Sequence, residues 1–245
     1  MRARARAPTC RALSRRARIP VLERVFYGAP VSPVSQLSLF SAAARPPRTG
    51  DLAGLLCGPG QIVRFGSGDT ARLSVVLADP RRAPVVIAVC AAVGIDAEPA
   101  VTESGATAVR TAFRRDLVGL AQAWTTGAVK TVPAGMLLDG AVLRVWMLAA
   151  GHWDGRGVDL LLDPHAPQTH QALIAAATRA GISPARCGRG TALRIAGARR
   201  IRRLLELVGP APGGVASDEW PEAGVPRRVD GAVTLPTVPP ATRIV

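Results

Sequence analysis

Three histidines and four cysteines are the side chains of this 245-residue chain best suited to hold a transition metal, and the cysteines are its strongest nucleophiles. Their spacing argues against both uses. His152 and Asp154 flank Trp153, and His165 and His170 stand five apart, with no third ligand at metal-binding spacing. They read as turn residues after a helix. Cys10, Cys57, Cys90 and Cys187 are scattered without a CxxC pair, which excludes a zinc ribbon and a disulfide scaffold. Cys57 and Cys90 lie in apolar surroundings and are expected as small core residues. No Ser-His-Asp or Cys-His arrangement is signalled. Gly54, Gly58 and Gly60 do not make a phosphate loop, because no strand precedes them and no Lys-Ser/Thr follows. No catalytic residue, metal or cofactor is therefore expected.

What remains is recognition through charge. The chain carries 31 basic and 17 acidic residues, a net charge of +14, and Lys130 is its only lysine. So strong an arginine bias, with abundant Ala, Gly, Val and Pro, reflects base composition in part. The sign of the charge still argues for an anionic partner, and nucleic acid is the first candidate. Arg64, Arg72, Arg110 and Arg194 sit in strand-like runs. They are the expected contacts to DNA phosphates, whose oxygens suit a guanidinium fork. The alternative is a solvated outer face. Arg199, Arg200, Arg202 and Arg203 flank the apolar stripe of a late helix and read as its wet side.

A second kind of contact is spelled by Gln36-Leu37-Ser38-Leu39-Phe40. It resembles the QLxLF peptide by which bacterial polymerases and repair proteins dock on the ring-shaped sliding clamp. The resemblance implies a clamp partner held by Gln36, Leu37, Leu39 and Phe40. A glutamine amide gives oriented hydrogen bonds, and the leucines and phenylalanine fill a preformed apolar pocket. The alternative is an N-terminal strand packed on the chain's own body.

These candidates must be positioned by elements. Residues 1–50 hold ten arginines and one acid, leaving +5 for the other 195 residues. With prolines at 8, 20, 30, 33, 46 and 47 and few periodic apolar positions, residues 1–48 are expected to form a disordered basic leader. Residues 210–245 read as a Pro-rich tail, with Trp220 as a candidate anchor. The body divides into halves at 49–124 and 141–209, joined by a linker at 125–140. In the first half, 51–57 reads as a short helix, 61–65 and 71–77 as a hairpin, and 84–93 as a helix stopped by Gly94. Residues 97–101 and 106–113 read as strands and 116–124 as a helix. The second half repeats this in shorter form, with helices at 141–150, 168–180 and 198–208 and strands at 158–162 and 192–195. Asp-Pro closes a strand in both halves, and Gly-Ile follows a helix in both.

Leu52-Ala53-Gly54-Leu55 and the closing Gly60 resemble the LAGLIDADG motif of homing endonucleases. Lys130-Thr131-Val132-Pro133, followed by 143–155 ending His152-Trp153-Asp154-Gly155, resembles the opening of that family's second repeat. The resemblance implies an α+β fold of two αββαββα repeats, packed through their motif helices, with the sheets forming a saddle over DNA. Small residues at Ala53, Gly54, Ala149, Ala150 and Gly151 suit that close helix contact. It also implies a metal-binding acid ending each motif. Here Pro59 stands at the first such place and Asp154 is the one survivor. Asp163 follows Gly155 by only eight positions, so the second repeat is expected to be shortened and to lack a strand.

One carboxylate cannot hold two ions and activate water. The expectation is a non-catalytic DNA-binding protein that docks on the sliding clamp in replication or repair, cytoplasmic and bacterial, with association with the nucleoid as the alternative within that compartment. The alternatives are a metal-dependent LAGLIDADG-type nuclease using Asp154, with His152 or Asp51 as a further ligand, and a regulatory protein-interaction domain. The longest apolar run, 85–93, is too short to span a bilayer.

Overall fold

The computed structural model describes residues 41–188 and 191–221. The clamp-like residues Gln36 to Phe40, the rest of the leader before them and residues 222–245 lie outside the described residues.

The chain builds the same unit twice. The first half runs α1 (Ala53–Cys57), β1 (Gly60–Phe65), β2 (Thr70–Val76), α2 (Ala83–Ala91), β3 (Ala97–Val101), β4 (Thr107–Thr111) and α3 (Val118–Trp124). The second runs α4 (Gly140–Ala150), β7 (Gly151–Trp153), β8 (Gly157–Leu161), α5 (His170–Arg179), β9 (Ala185–Cys187), β10 (Ala192–Ala196) and α6 (Ala198–Val208). Each half is αββαββα, with an antiparallel sheet in the orders β1-β2-β4-β3 and β7-β8-β10-β9. The fold is thus α+β with two LAGLIDADG-like repeats. The expected loss of a strand is corrected: the second repeat keeps all four. Its shortening lies in strand length, because β7 and β9 have three residues each.

Local chemistry accounts for the boundaries. Gly58-Pro59 ends α1 after five residues, since proline has no amide to continue the helix. Asp139 caps α4, its carboxylate accepting from the amide of Val142 at 2.9 Å. In β2 the buried residues Ala71, Leu73 and Val75 alternate with Arg72, Ser74 and Val76, so one face of the sheet meets the core and the other meets solvent. The second sheet alternates likewise: Val158, Leu160, Leu193 and Ile195 are buried, while Asp159 and Arg194 face outward.

The two halves close on one core, and the contact at its centre is α1 against α4. Gly54 lies so near α4 that a Cβ there would overlap the carbonyl oxygen of Val142 and the amide nitrogen of Trp146. Trp146 is fully buried and donates its indole N–H to the carbonyl of Leu161 at 3.0 Å, tying α4 to the second sheet.

The segments flanking and joining the halves also pack. The 125–140 stretch forms a two-residue ladder, β5 (Thr125–Thr126) with β6 (Val129–Lys130), and buries Lys130 and Leu138. Arg45 binds Asp51 at 2.6 Å and Asp139 at 2.8 Å, so residues before 49 join the start of both motif helices. Trp220 is buried, donates to the carbonyl of Gly209 at 3.1 Å and lies under the Arg144 guanidinium. Among the described residues, no helix is long and apolar enough to cross a membrane.

Candidate nucleic-acid interface

The solvent-facing side of the first sheet follows from its register. Gln61, Val63 and Phe65 on β1 pair with Ser74, Arg72 and Thr70 on β2. Arg110 on β4 pairs with Ser74 and, on its other side, with Glu98 of β3. The bridge between Ala71 and Arg114 is offset by one residue from the ladder that pairs Ser74 with Arg110. This extra residue is a bulge that swings Phe113 beside Arg72. The Arg72 guanidinium sits 4.6 Å over the Phe113 ring, whose centroid is 5.1 Å from that of Phe65.

Arg72 and Arg110 thus share one outward face, as the sequence suggested. Arg64 does not join them. Its parity along β1 is that of Ile62, so it belongs to the helix-covered face and emerges at the exposed end of the hairpin. Arg194 takes the corresponding outward place on the second sheet, but two carboxylates hold it. Its guanidinium binds Asp154 at 2.6 Å and Asp159 at 2.9 Å. Hydrogen bonding to Asp154 raises its pKa above the ordinary arginine value. Among the described residues, Arg64, Arg72 and Arg110 form no ion pair.

The positive charge on the outer face of the second sheet is therefore taken up by its own carboxylates. Below Arg194, the Cys187 thiol donates to Asp159, and His152, Cys187 and Leu161 line a hollow of about 840 Å³. Arg81 and Arg82 on its rim are bound by Glu219 at 3.0 and 3.1 Å. His152 belongs to β7, where a turn was expected.

The ends of the motif helices decide what the site could hold. Gly60 opens β1 and Gly151 opens β7. A Cβ on either would strike a carbonyl oxygen of the helix before it, that of Leu55 or of Met147. These two glycines are structural counterparts. The residues before them are Pro59 and Ala150, and Gly58 faces the Ala150 methyl across the helix junction. Neither motif ends in a carboxylate, so the identification of Asp154 as the surviving motif acid is corrected.

Asp154 lies beyond β7, in the turn to β8. It accepts from the amides of Arg156 and Gly157 and from Arg194, and these bonds hold its carboxyl down at about 2. The residues at the helix junction do not fit a divalent ion. Among the described residues, no group of three or more His, Cys, Asp or Glu is placed to hold a metal.

The charged group at that junction is a cation. Lys130 donates to the carbonyls of Gly58 and Gly60, both at 2.7 Å, and to Asp163 at 2.9 Å. Asp163 also accepts from Gln61 at 2.6 Å and from the amide of His165. Burial lowers the lysine pKa, against the opposing pull of Asp163. His170 accepts from Arg186 at Nδ1, so its proton sits on Nε2 and is donated to the carbonyl of Asp163. The sequence singled out Lys130 only as the lone lysine and as part of the K-x-x-P string. Its partners come from two separate segments, the turn at Gly58 to Gly60 and Asp163 after β8, which no spacing rule links. Cys57 and Cys90 are buried, as expected, and burial pushes the Cys90 thiol up to about 11.

No protein-family model matches this sequence, and no curated protein does. Solved structures similar to it include the homing endonuclease I-WcaI bound to its DNA recognition sequence, at 12% identity and a TM-score of 0.46, covering 73% of this chain and 89% of that one. The N-terminal LAGLIDADG domain of DUF199/WhiA is similar at 13% identity and a TM-score of 0.42, covering 66% and 81%. I-DmoI in complex with DNA and Mn is similar at 11% identity and a TM-score of 0.38, covering 66% and 97%.

Proposed function

We propose that this is a non-catalytic DNA-binding protein that contacts the nucleic acid through the outer face of its first sheet. One observation carries the reading: Arg72 and Arg110 stand on the same solvent-facing surface with no carboxylate bound to either among the described residues, while Arg194 is consumed by two. Unpaired guanidinium groups on a rigid sheet suit phosphate oxygens without further rearrangement. The absence of a carboxylate before Gly60 and Gly151 supports the non-catalytic part.

Binding of a labelled duplex across a salt series tests this. Each lost phosphate contact removes about 0.9 from the slope of log affinity against log salt. Arg72→Ala/Arg110→Ala should weaken binding and flatten the slope by about 2. An unchanged slope would place the contact elsewhere. Magnesium- or manganese-dependent nicking of plasmid DNA, abolished in Asp154→Asn, would restore the nuclease reading.

Docking on the sliding clamp in replication or repair is the second part of the proposal and rests on Gln36, Leu37, Leu39 and Phe40 alone. Such a short peptide anchors with affinity of about micromolar strength, and simultaneous DNA contact raises the local concentration. Phe40→Ala should abolish clamp binding while leaving the thermal unfolding of the body unchanged. Retained affinity in that variant would reduce the peptide to a packing segment.

A further inference from the structure

The outer face of the first sheet is apolar to a degree that phosphate contacts do not explain. Among the described residues, seven large hydrophobic side chains are exposed, and four of them, Val63, Phe65, Val76 and Phe113, share this face. Phe65 is 65% exposed, at the solvent end of β1. A phenylalanine so placed contributes little to folding, and most of its ring is left for a ligand to cover.

We infer that this face binds single-stranded DNA, stacking unpaired bases on Phe65 and on the Phe113–Arg72 pair, while Arg110 and the edge of the Arg72 guanidinium take the adjoining phosphates. The inference rests on the DNA-binding reading and narrows it. A duplex buries the flat faces of its bases between neighbours, leaving only groove edges and backbone on offer. Rings lying on an open sheet have no counterpart there. An unpaired strand presents both things that this surface is made for, π-faces and closely spaced phosphates.

The geometry fits two neighbouring bases. The rings are in contact at 5.1 Å and tilted by 46°, so they form two adjoining platforms rather than one sandwich. Arg72 over the Phe113 ring is held in the face instead of trailing into solvent, and it extends the platform with a planar cation. The polar positions between them, Gln61, Thr70 and Ser74, are uncharged. Among the described residues, the single acid on the face, Glu98, lies on edge strand β3. Charge complementarity therefore favours a polyanion over an apolar protein surface or a second copy of the chain.

The test uses the full chain, with fluorescence anisotropy on an oligothymidylate of roughly 12 nucleotides and on a duplex of the same length. Wild type should prefer the single strand. Phe65→Ala/Phe113→Ala should lose about tenfold or more on the single strand and stay within about twofold on the duplex, given the usual worth of base stacking. Leu137→Ala, another exposed apolar site, should change neither. Duplex binding with no preference for the single strand, or an unaffected double variant, overturns the inference and leaves the DNA-binding reading standing. Failure to bind either nucleic acid overturns both. A wild-type dimer that Phe65→Ala dissociates, seen by sedimentation, assigns the face to self-association instead.

Discussion

At the scale of single residues, the lone lysine of an arginine-rich chain sits where an arginine would not fit. A compact ammonium can aim three donors at three converging acceptors, the two carbonyls and the Asp163 carboxylate, whereas a guanidinium is a planar fork. Lys130→Met should cost about 3–5 kcal/mol in urea unfolding, because it leaves Asp163 buried without its partner. Lys130→Arg should also destabilise, by steric misfit with the charge retained. Wild-type stability in either variant would contradict this account. Asp154 makes the opposite kind of contribution, at the surface. Its folded carboxyl titrates at about 2, below the ordinary 3.8, so the stabilisation is complete above about pH 4 and is lost as pH falls towards 2. The difference in Tm between wild type and Asp154→Asn should therefore shrink across that interval. A difference independent of pH would mean that the turn, rather than the charge, is at stake.

At the scale of elements, the close approach of α1 to α4 gives the sharpest contrast between two glycines. Gly54→Ala pushes a methyl into the backbone of α4, which cannot move aside as a side chain can, and should cost about 3 kcal/mol or more. Gly119→Ala, in α3, meets nothing within 4 Å and should be neutral or stabilise by up to about 1 kcal/mol. Equal effects on thermal unfolding would refute the packing argument. Gly54 was legible as a small residue of a motif helix, and the longer strands were legible because Leu73 and Val75, or Val158 and Leu160, alternate with polar residues. Gly151-His152-Trp153 and Ala185-Arg186-Cys187 offer no such alternation over three residues. Only pairing with β8 and β10 makes them strands. Asp154 misled for a related reason: the resemblance made it the acid closing the second motif, while the motif helix stops at Ala150 and a strand intervenes. The outward pairing of Arg72 with Phe113 was hidden by the bulge, which shifts register without marking the sequence.

At the scale of the whole molecule, composition suggested a tail from residue 210, yet Trp220 is buried against Gly209 and Arg144. The sequence marked Trp220 as an anchor but could not supply its partners, which lie on α4 and just past α6. Trp220→Ala should cost about 3–5 kcal/mol and lower Tm by several degrees. A Tm unchanged by the substitution would mean that the segment rides on the surface without supporting it.

The junction of α1 with α4 bears on the molecule's divisibility. Five residues are too few for a helix to hold its shape in water, and every residue of α1 is buried. Much of that burial comes from the other half, and the ammonium closing the end of α1 comes from the segment between the halves and is bound to a carboxylate of the second. A chain cut within 125–140 should not yield two soluble modules, and a half borrowed from another protein of the same plan would need its own match for Gly54 and for Lys130. Repetition here describes the drawing of the fold, while the unit that folds, and that natural variation must keep intact, is the pair.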